Sequence, residues 1–219
     1  NITTLTNCSF FNKNTSFQGT TSLKTITNLT YTGQDFSSYF EDCINLQRAT
    51  IIMRNSVNNM SNSFRNCPKL NFVDFTQESD LSSVGTIDGC FYGDSSLVSI
   101  SNMKLTNPTT VATNITLTDC PLSETEGLLI NSNSALDMFR MGNNSKITKI
   151  TDFNLGKNAD DLHDLCMDYP LLISDFVIPT NVKNVSNMFK NCTSIETVTT
   201  NWTTLDDMNK DNDLLNDVI

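Results

Sequence analysis

The 219-residue chain has no run of basic residues, one histidine, one tryptophan, eight glycines and five prolines, and only 17% of its residues are charged. Each shortage excludes something. With a net charge of −10 and no basic patch, the chain would be repelled by phosphate backbones, so nucleic acid is not an expected partner. An anionic membrane surface is disfavoured for the same reason. No stretch approaches 18 consecutive apolar residues, so no segment is expected to insert into a membrane. No glycine-rich phosphate cradle is present, and a single histidine leaves little for acid–base chemistry. The numbered chain starts at Asn1 without an initiator Met, a basic n-region or an apolar h-region. The expectation is a processed chain or a piece of a larger one.

What is abundant is Asn, Ser and Thr, 80 residues together, against a hydrophobic content of 38%. That content is low for a compact core and suits an elongated object with much surface per volume. Ten Asn-X-Ser/Thr sequons occur, where composition alone gives about seven. The excess is too small to argue for glycosylation, and the asparagine richness reads as compositional.

The organising feature is a repeat. Copies such as VNNMSNSFRNCPKLNFVDF from Val57, FSSYFEDCINLQRATI from Phe36 and VSNMFKNCTSIETV from Val185 share one pattern. Anchored on the apolar residue before the cysteine, copies fall at Phe17, Phe40, Phe64, Phe91, Leu117, Phe139, Leu165 and Phe189, spaced 22 to 27 residues apart. A period in this range belongs to leucine-rich-repeat solenoids, whose units bury their apolar face only by stacking. The expected fold is therefore an α/β repeat solenoid, a right-handed leucine-rich-repeat array with one short parallel strand and one short helix per turn. It would run as one domain of about eight turns over residues 1–204, with 205–219 forming a C-terminal cap or the start of a further repeat.

Within a copy, apolar residues at i, i+4 and i+7 (Met60, Phe64, Cys67; Phe36, Phe40, Cys43; Val185, Phe189, Cys192) predict a two-turn helix. Pro68 and Pro121 follow Cys67 and Cys120, which predicts that the helix stops at the cysteine. An aliphatic residue comes three positions later, and then a short segment of strand character, as in Asn71–Phe75 and Glu196–Thr200. Of the seven cysteines, Cys43, Cys67, Cys120 and Cys192 share one slot; an odd count at a repeated apolar slot reads as small buried thiols. Bridges between neighbouring turns stay geometrically open.

With the motif written out, Asn184–Val198, NVSNMFKNCTSIETV, resembles the repeat of BspA-like leucine-rich-repeat surface proteins. Val57–Phe75 and Phe36–Ile51 match less fully, and Asp88–Ile100 less again. The resemblance implies a surface-exposed protein of bacteria or protozoa that adheres to a host or matrix, usually within a longer chain; related repeats also occur in phage virions.

Two chemical readings compete with this. His163 and Cys166, with Asp160, Asp161 and Asp164 nearby, invite a thiol nucleophile. The repeat instead expects a buried thiol and a rim imidazole. Two acidic clusters, Asp160 to Asp168 and Asp206 to Asp217, carry the oxygen ligands that Ca²⁺ prefers, but neither has a calcium-loop pattern, and a solvated acidic face is the simpler reading. No catalytic residue, metal or cofactor is expected.

The candidate binding residues are those flanking the inward aliphatic of each strand: Arg48, Phe72, Asp74, Lys149, Ile173, Asp175, Thr197 and Thr199, within a stripe otherwise rich in threonine. The expected function is a non-catalytic recognition or adhesion module at a cell surface or outside the cell, binding protein or glycan. The alternative is a structural or receptor-binding part of a phage particle, at the virion surface.

Overall fold

The alternation of side chains decides the first strand of each coil. Ile26, Ala49, Val73 and Ile100 are fully buried, while their neighbours Thr25, Thr27, Thr50, Phe72 and Asp74 are partly exposed and Arg48 is exposed. The computed structural model describes residues 1–54, 57–123, 126–140, 149–150, 154–174 and 177–200, with the backbone alone at Asn114, Lys149, Ile150, Ile173, Ser174 and Val177. Of the sequence expectations, Asp175, the acidic cluster Asp206 to Asp217 and the segment 205–219 lie outside the described residues.

The described chain is a parallel-stranded β-solenoid of about six turns with little helix. Strands β1 (Thr4–Thr6), β2 (Ser9–Phe10), β3 (Thr25–Tyr31), β4 (Arg48–Met53), β5 (Phe72–Asp74) and β6 (Ser99–Ser101) form one sheet. In it β1, β3, β4, β5 and β6 pair in that order, all parallel, and β2 pairs with the far end of β3. Further along come β7 (Lys104–Leu105), β8 (Leu129–Ile130), β9 (Lys149–Ile150), β10 (Asn154–Leu155), β11 (Ile173–Ser174), β12 (Val177–Ile178) and β13 (Thr199–Thr200). They pair as β7–β8–β10, β9–β11 and β12–β13, again in parallel.

Most coils thus contribute to a second line of pairing that the sequence pattern had not separated from the first. In β3 the two lines are continuous: the register slips between Ile26 and Leu29, where Asn28 takes a positive φ of 52°. The slip turns Leu29 and Tyr31 inward behind Ile26, and all three are buried.

The expected helix of each coil is the main correction. Among the described residues the only α-helix is the four-residue α1 (Asn133–Leu136). Short 3-10 turns stand at Lys13–Thr15 and Asn114–Leu117, and in the Phe40, Phe64, Phe91, Leu165 and Phe189 coils the arm from the first apolar residue to the cysteine slot is a pair of turns. Residues of positive φ recur four apart in it: Ser38 and Asp42, Asn62 and Asn66, Gly89 and Gly93, Asp164 and Asp168, Asn187 and Asn191. A left-handed residue twice in seven positions stops helix propagation, and Asn, Asp and Gly are the residues that adopt it at least cost. The spacing i, i+4, i+7 still brings Met60, Phe64 and Cys67 to the same interior, because each turn closes after three residues. Asparagine is therefore conformational here and not a matter of composition alone.

Between arms the backbone forms a third ladder. Ser38, Phe40 and Asp42 donate their N–H groups to the carbonyls of Ser61, Ser63 and Arg65, and Asn62, Phe64 and Asn66 donate to Asp88, Cys90 and Tyr92. Asp164, Cys166 and Asp168 donate to Ser186, Met188 and Lys190, which puts Cys166, one residue beyond Leu165, level with Phe189.

Two interior columns follow. The rings of Phe17, Phe40, Phe64 and Phe91 stack face to face with centroids 5.7, 5.6 and 5.7 Å apart. Three residues after each anchor, the thiols of Cys43, Cys67, Cys120 and Cys192 donate to the carbonyls of Phe17, Phe40, Phe91 and Cys166 in the preceding coil, at 3.1, 3.2, 3.0 and 2.9 Å. Tyr169 fills the same slot and donates its hydroxyl to the Phe139 carbonyl. All seven cysteines are free thiols. Burial pushes those of Cys43 and Cys192 up to about 11, and those of Cys67, Cys90, Cys120 and Cys166 further, so they are fillers and weak donors rather than nucleophiles.

Candidate binding surface

Because β1, β3, β4, β5 and β6 are in register, outward side chains line up across coils. One row reads Thr4, Thr25, Arg48, Phe72, Ser99, set by the partners Thr4–Thr25, Thr25–Arg48, Arg48–Phe72 and Phe72–Ser99. A second row joins Thr50, Asp74 and Ser101. In the first row the Arg48 guanidinium carbon sits 4.5 Å from the centre of the Phe72 ring. The contact holds a long cationic side chain flat over an aromatic face. In the second row Asp74 is already engaged: it accepts from the Thr76 N–H at 2.8 Å and the Asn102 amide at 2.9 Å. Its part is to fix the turn after β5, and Ser101 is buried beside it.

The other expected positions scatter. Lys149 and Ile173 are register partners in the β9–β11 pair. Thr197 is exposed and lies outside any strand. Thr199 opens β13 opposite Val177, on the second line of pairing, so it does not continue the row that holds Phe72. Arg48 and Phe72 are the two that the structure brings into contact.

Beside these rows is a shallow polar concavity of about 350 Å³, lined by Asn7, Ser9, Asn28, Thr30, Ile52, Thr76 and Glu78. Asn28 donates its amide to Asn7 across the coils at 3.3 Å, and Glu78 pairs with Arg54 at 2.9 Å. Asn7, Asn28 and Thr76 each have a positive φ. Their signal in the sequence is a polar residue placed two or three positions after the inward aliphatic of the strand.

The suggested Cys166–His163 pair does not assemble. The Cys166 thiol is buried, whereas His163 Nδ1 lies 2.6 Å from Asp161 Oδ1. Among the described residues no three His, Cys, Asp or Glu side chains are placed to hold a metal ion, and no helix is long and apolar enough to cross a membrane.

These features define the class as a parallel β-solenoid with an open, hydroxyl-rich strand face. No protein-family model matches the chain, and no curated protein or solved structure matches it.

Proposed function

We propose that this solenoid is a non-catalytic recognition or adhesion module, exposed outside a cell or on a particle, that binds protein or glycan through its strand face. The observation that carries the reading is the row Thr4, Thr25, Arg48, Phe72, Ser99, which spans five coils and centres on one guanidinium–aromatic pair among hydroxyls. Arginine and aromatic side chains are the usual energetic centres of interfaces, and hydroxyls around them supply short polar contacts. Kinship with BspA-like leucine-rich repeats belongs to the same proposal; it rests on the Asn184–Val198 motif and fits a surface protein.

A screen of glycans and host surface proteins tests it, repeated with Phe72→Ser and Arg48→Ser. A ligand should be found, and either substitution should weaken it by about tenfold or more. Full affinity retained by both variants would refute the strand-face assignment.

A further inference from the structure

At the coil containing Phe139 the arm ladder gives way to side-chain hydrogen bonds. Helix α1 stands where the paired turns should be, so the coil containing Phe139 cannot offer its amides to the next arm. By register, the carbonyls left without those amides are those of Asp161 and His163, equivalent to Asn59 and Ser61, which accept from Phe36 and Ser38. The Arg140 side chain, only 9% exposed, takes their place: Nη2 donates to the Asp161 carbonyl and Nε to the His163 carbonyl. Nη1 donates to Asp137 Oδ1 and to the Asn133 carbonyl.

Splaying the arms at this break opens a cleft of about 440 Å³ between three coils. Val111, 44% exposed, and Ala112 give it an apolar wall; Thr113, Asp137 and Asp164 give it polar atoms. Two of those atoms, Thr113 Oγ1 and Asp164 Oδ1, are shielded from solvent and have no hydrogen-bond partner among the described residues. The cation of the cleft is committed to carbonyls and to Asp137. Its unmet groups are a carboxylate oxygen, which accepts, and a hydroxyl, which can accept or donate, and two lining carboxylates face one guanidinium.

We propose that this cleft binds a primary ammonium group on an aliphatic stem, the chemistry shared by a lysine side chain and a free polyamine. The stem lies along Val111 and Ala112, and the ammonium, a donor in three directions, meets the carboxylates of Asp137 and Asp164 beside the Thr113 hydroxyl. An anionic or purely apolar ligand would leave the Asp164 carboxylate unmatched. The site is separate from the strand face, and it stands whether or not that face binds a ligand.

Calorimetric titration of the full chain with Nα-acetyl-lysine amide, and with its Nε-acetylated counterpart, tests this. The free amine should bind about tenfold or more tightly than the acetylated compound, and its affinity should fall as salt rises. Asp164→Asn keeps a residue that tolerates the left-handed backbone (φ 54°) and should weaken the amine about fivefold or more, with the melting temperature unchanged. Thr113→Val provides a second variant, expected to act in the same direction. Tighter binding of a lysine-containing peptide than of spermidine would assign a protein source, and the reverse a free polyamine. Equal affinity for the two acetyl-lysine compounds, no heat with either, or two variants that bind like the parent would overturn the proposal.

Discussion

Asp94 is the residue most at odds with its surroundings. It occupies the slot that holds Cys67 in the preceding coil and Cys120 in the next, and it is fully buried. One carboxylate oxygen accepts the Cys67 N–H at 2.8 Å, and the other has no partner. Burial raises its ionisation well above the ordinary carboxylate range, with the Cys67 amide only partly offsetting it. The folded state then holds a proton that the unfolded state has lost, so stability falls as pH rises from the unfolded carboxylate value, roughly pH 4, through the folded one. Asp94→Asn keeps an acceptor for Cys67 and adds a donor without charge. It should raise stability by about 1–3 kcal/mol at pH 8 and leave it nearly unchanged at pH 4, measured by urea denaturation at both values. A variant with an undiminished pH slope would show that Asp94 is not its source. This residue stands in the sequence as an aspartate in the buried cysteine slot; what the sequence left open is how few donors meet its carboxylate there.

At the scale of the element, the turn arm is what distinguishes this coil from the strand–helix unit expected of it. Gly89 and Gly93 sit at φ 62° and 79°, directly over the equivalent Asn62 and Asn66 of the coil before. A Cβ at Gly89 would lie 2.5 Å from Asn62 Oδ1. Gly89→Val should therefore lower stability by about 2–4 kcal/mol, more than Asn62→Ala at about 1–2 kcal/mol, read from denaturation midpoints. Asn62→Gly should be nearly neutral. Equal costs for Gly89→Val and Asn62→Ala would mean that backbone conformation alone decides, without the stacked neighbour. Met60, Phe64 and Cys67 have helical spacing without a helix, because two successive three-residue turns bring them to the same interior. The signal that separates the two is the polar pair inside the motif, Asn62 and Asn66 or Asn187 and Asn191, at positions a helix would give to any soluble residue.

At the scale of the molecule, a solenoid is held by contacts between nearest coils, so its weakest interface sets its cooperativity. The break at α1 is bridged by side chains rather than a row of amides: the Arg140 guanidinium, Asn133, which accepts from the Asp161 N–H at 3.1 Å and donates to Asp160 Oδ1 at 3.0 Å, and the Tyr169 hydroxyl on the Phe139 carbonyl. Arg140→Ala leaves the Asp161 and His163 carbonyls without their donors and should cost about 3–5 kcal/mol. It should also separate unfolding into two transitions, with hydrogen exchange faster beyond Tyr169 than before Phe91. A single transition at the parent midpoint would mean that side-chain packing across the break suffices. Sequence by itself determined the repeat, its length near 25 residues, the inward column of Phe17, Phe40, Phe64 and Phe91, and the outward placement of Arg48 and Phe72. A stacked unit must return the same apolar residue to the same interior slot, and that demand is written as a period. Tertiary structure alone decided the second line of strands, the Cys166 register, the role of Arg140 as a stand-in ladder and the cleft beside it. Each of these depends on which backbone groups find partners in the neighbouring coil, and a side chain that substitutes for a missing amide leaves no periodic trace.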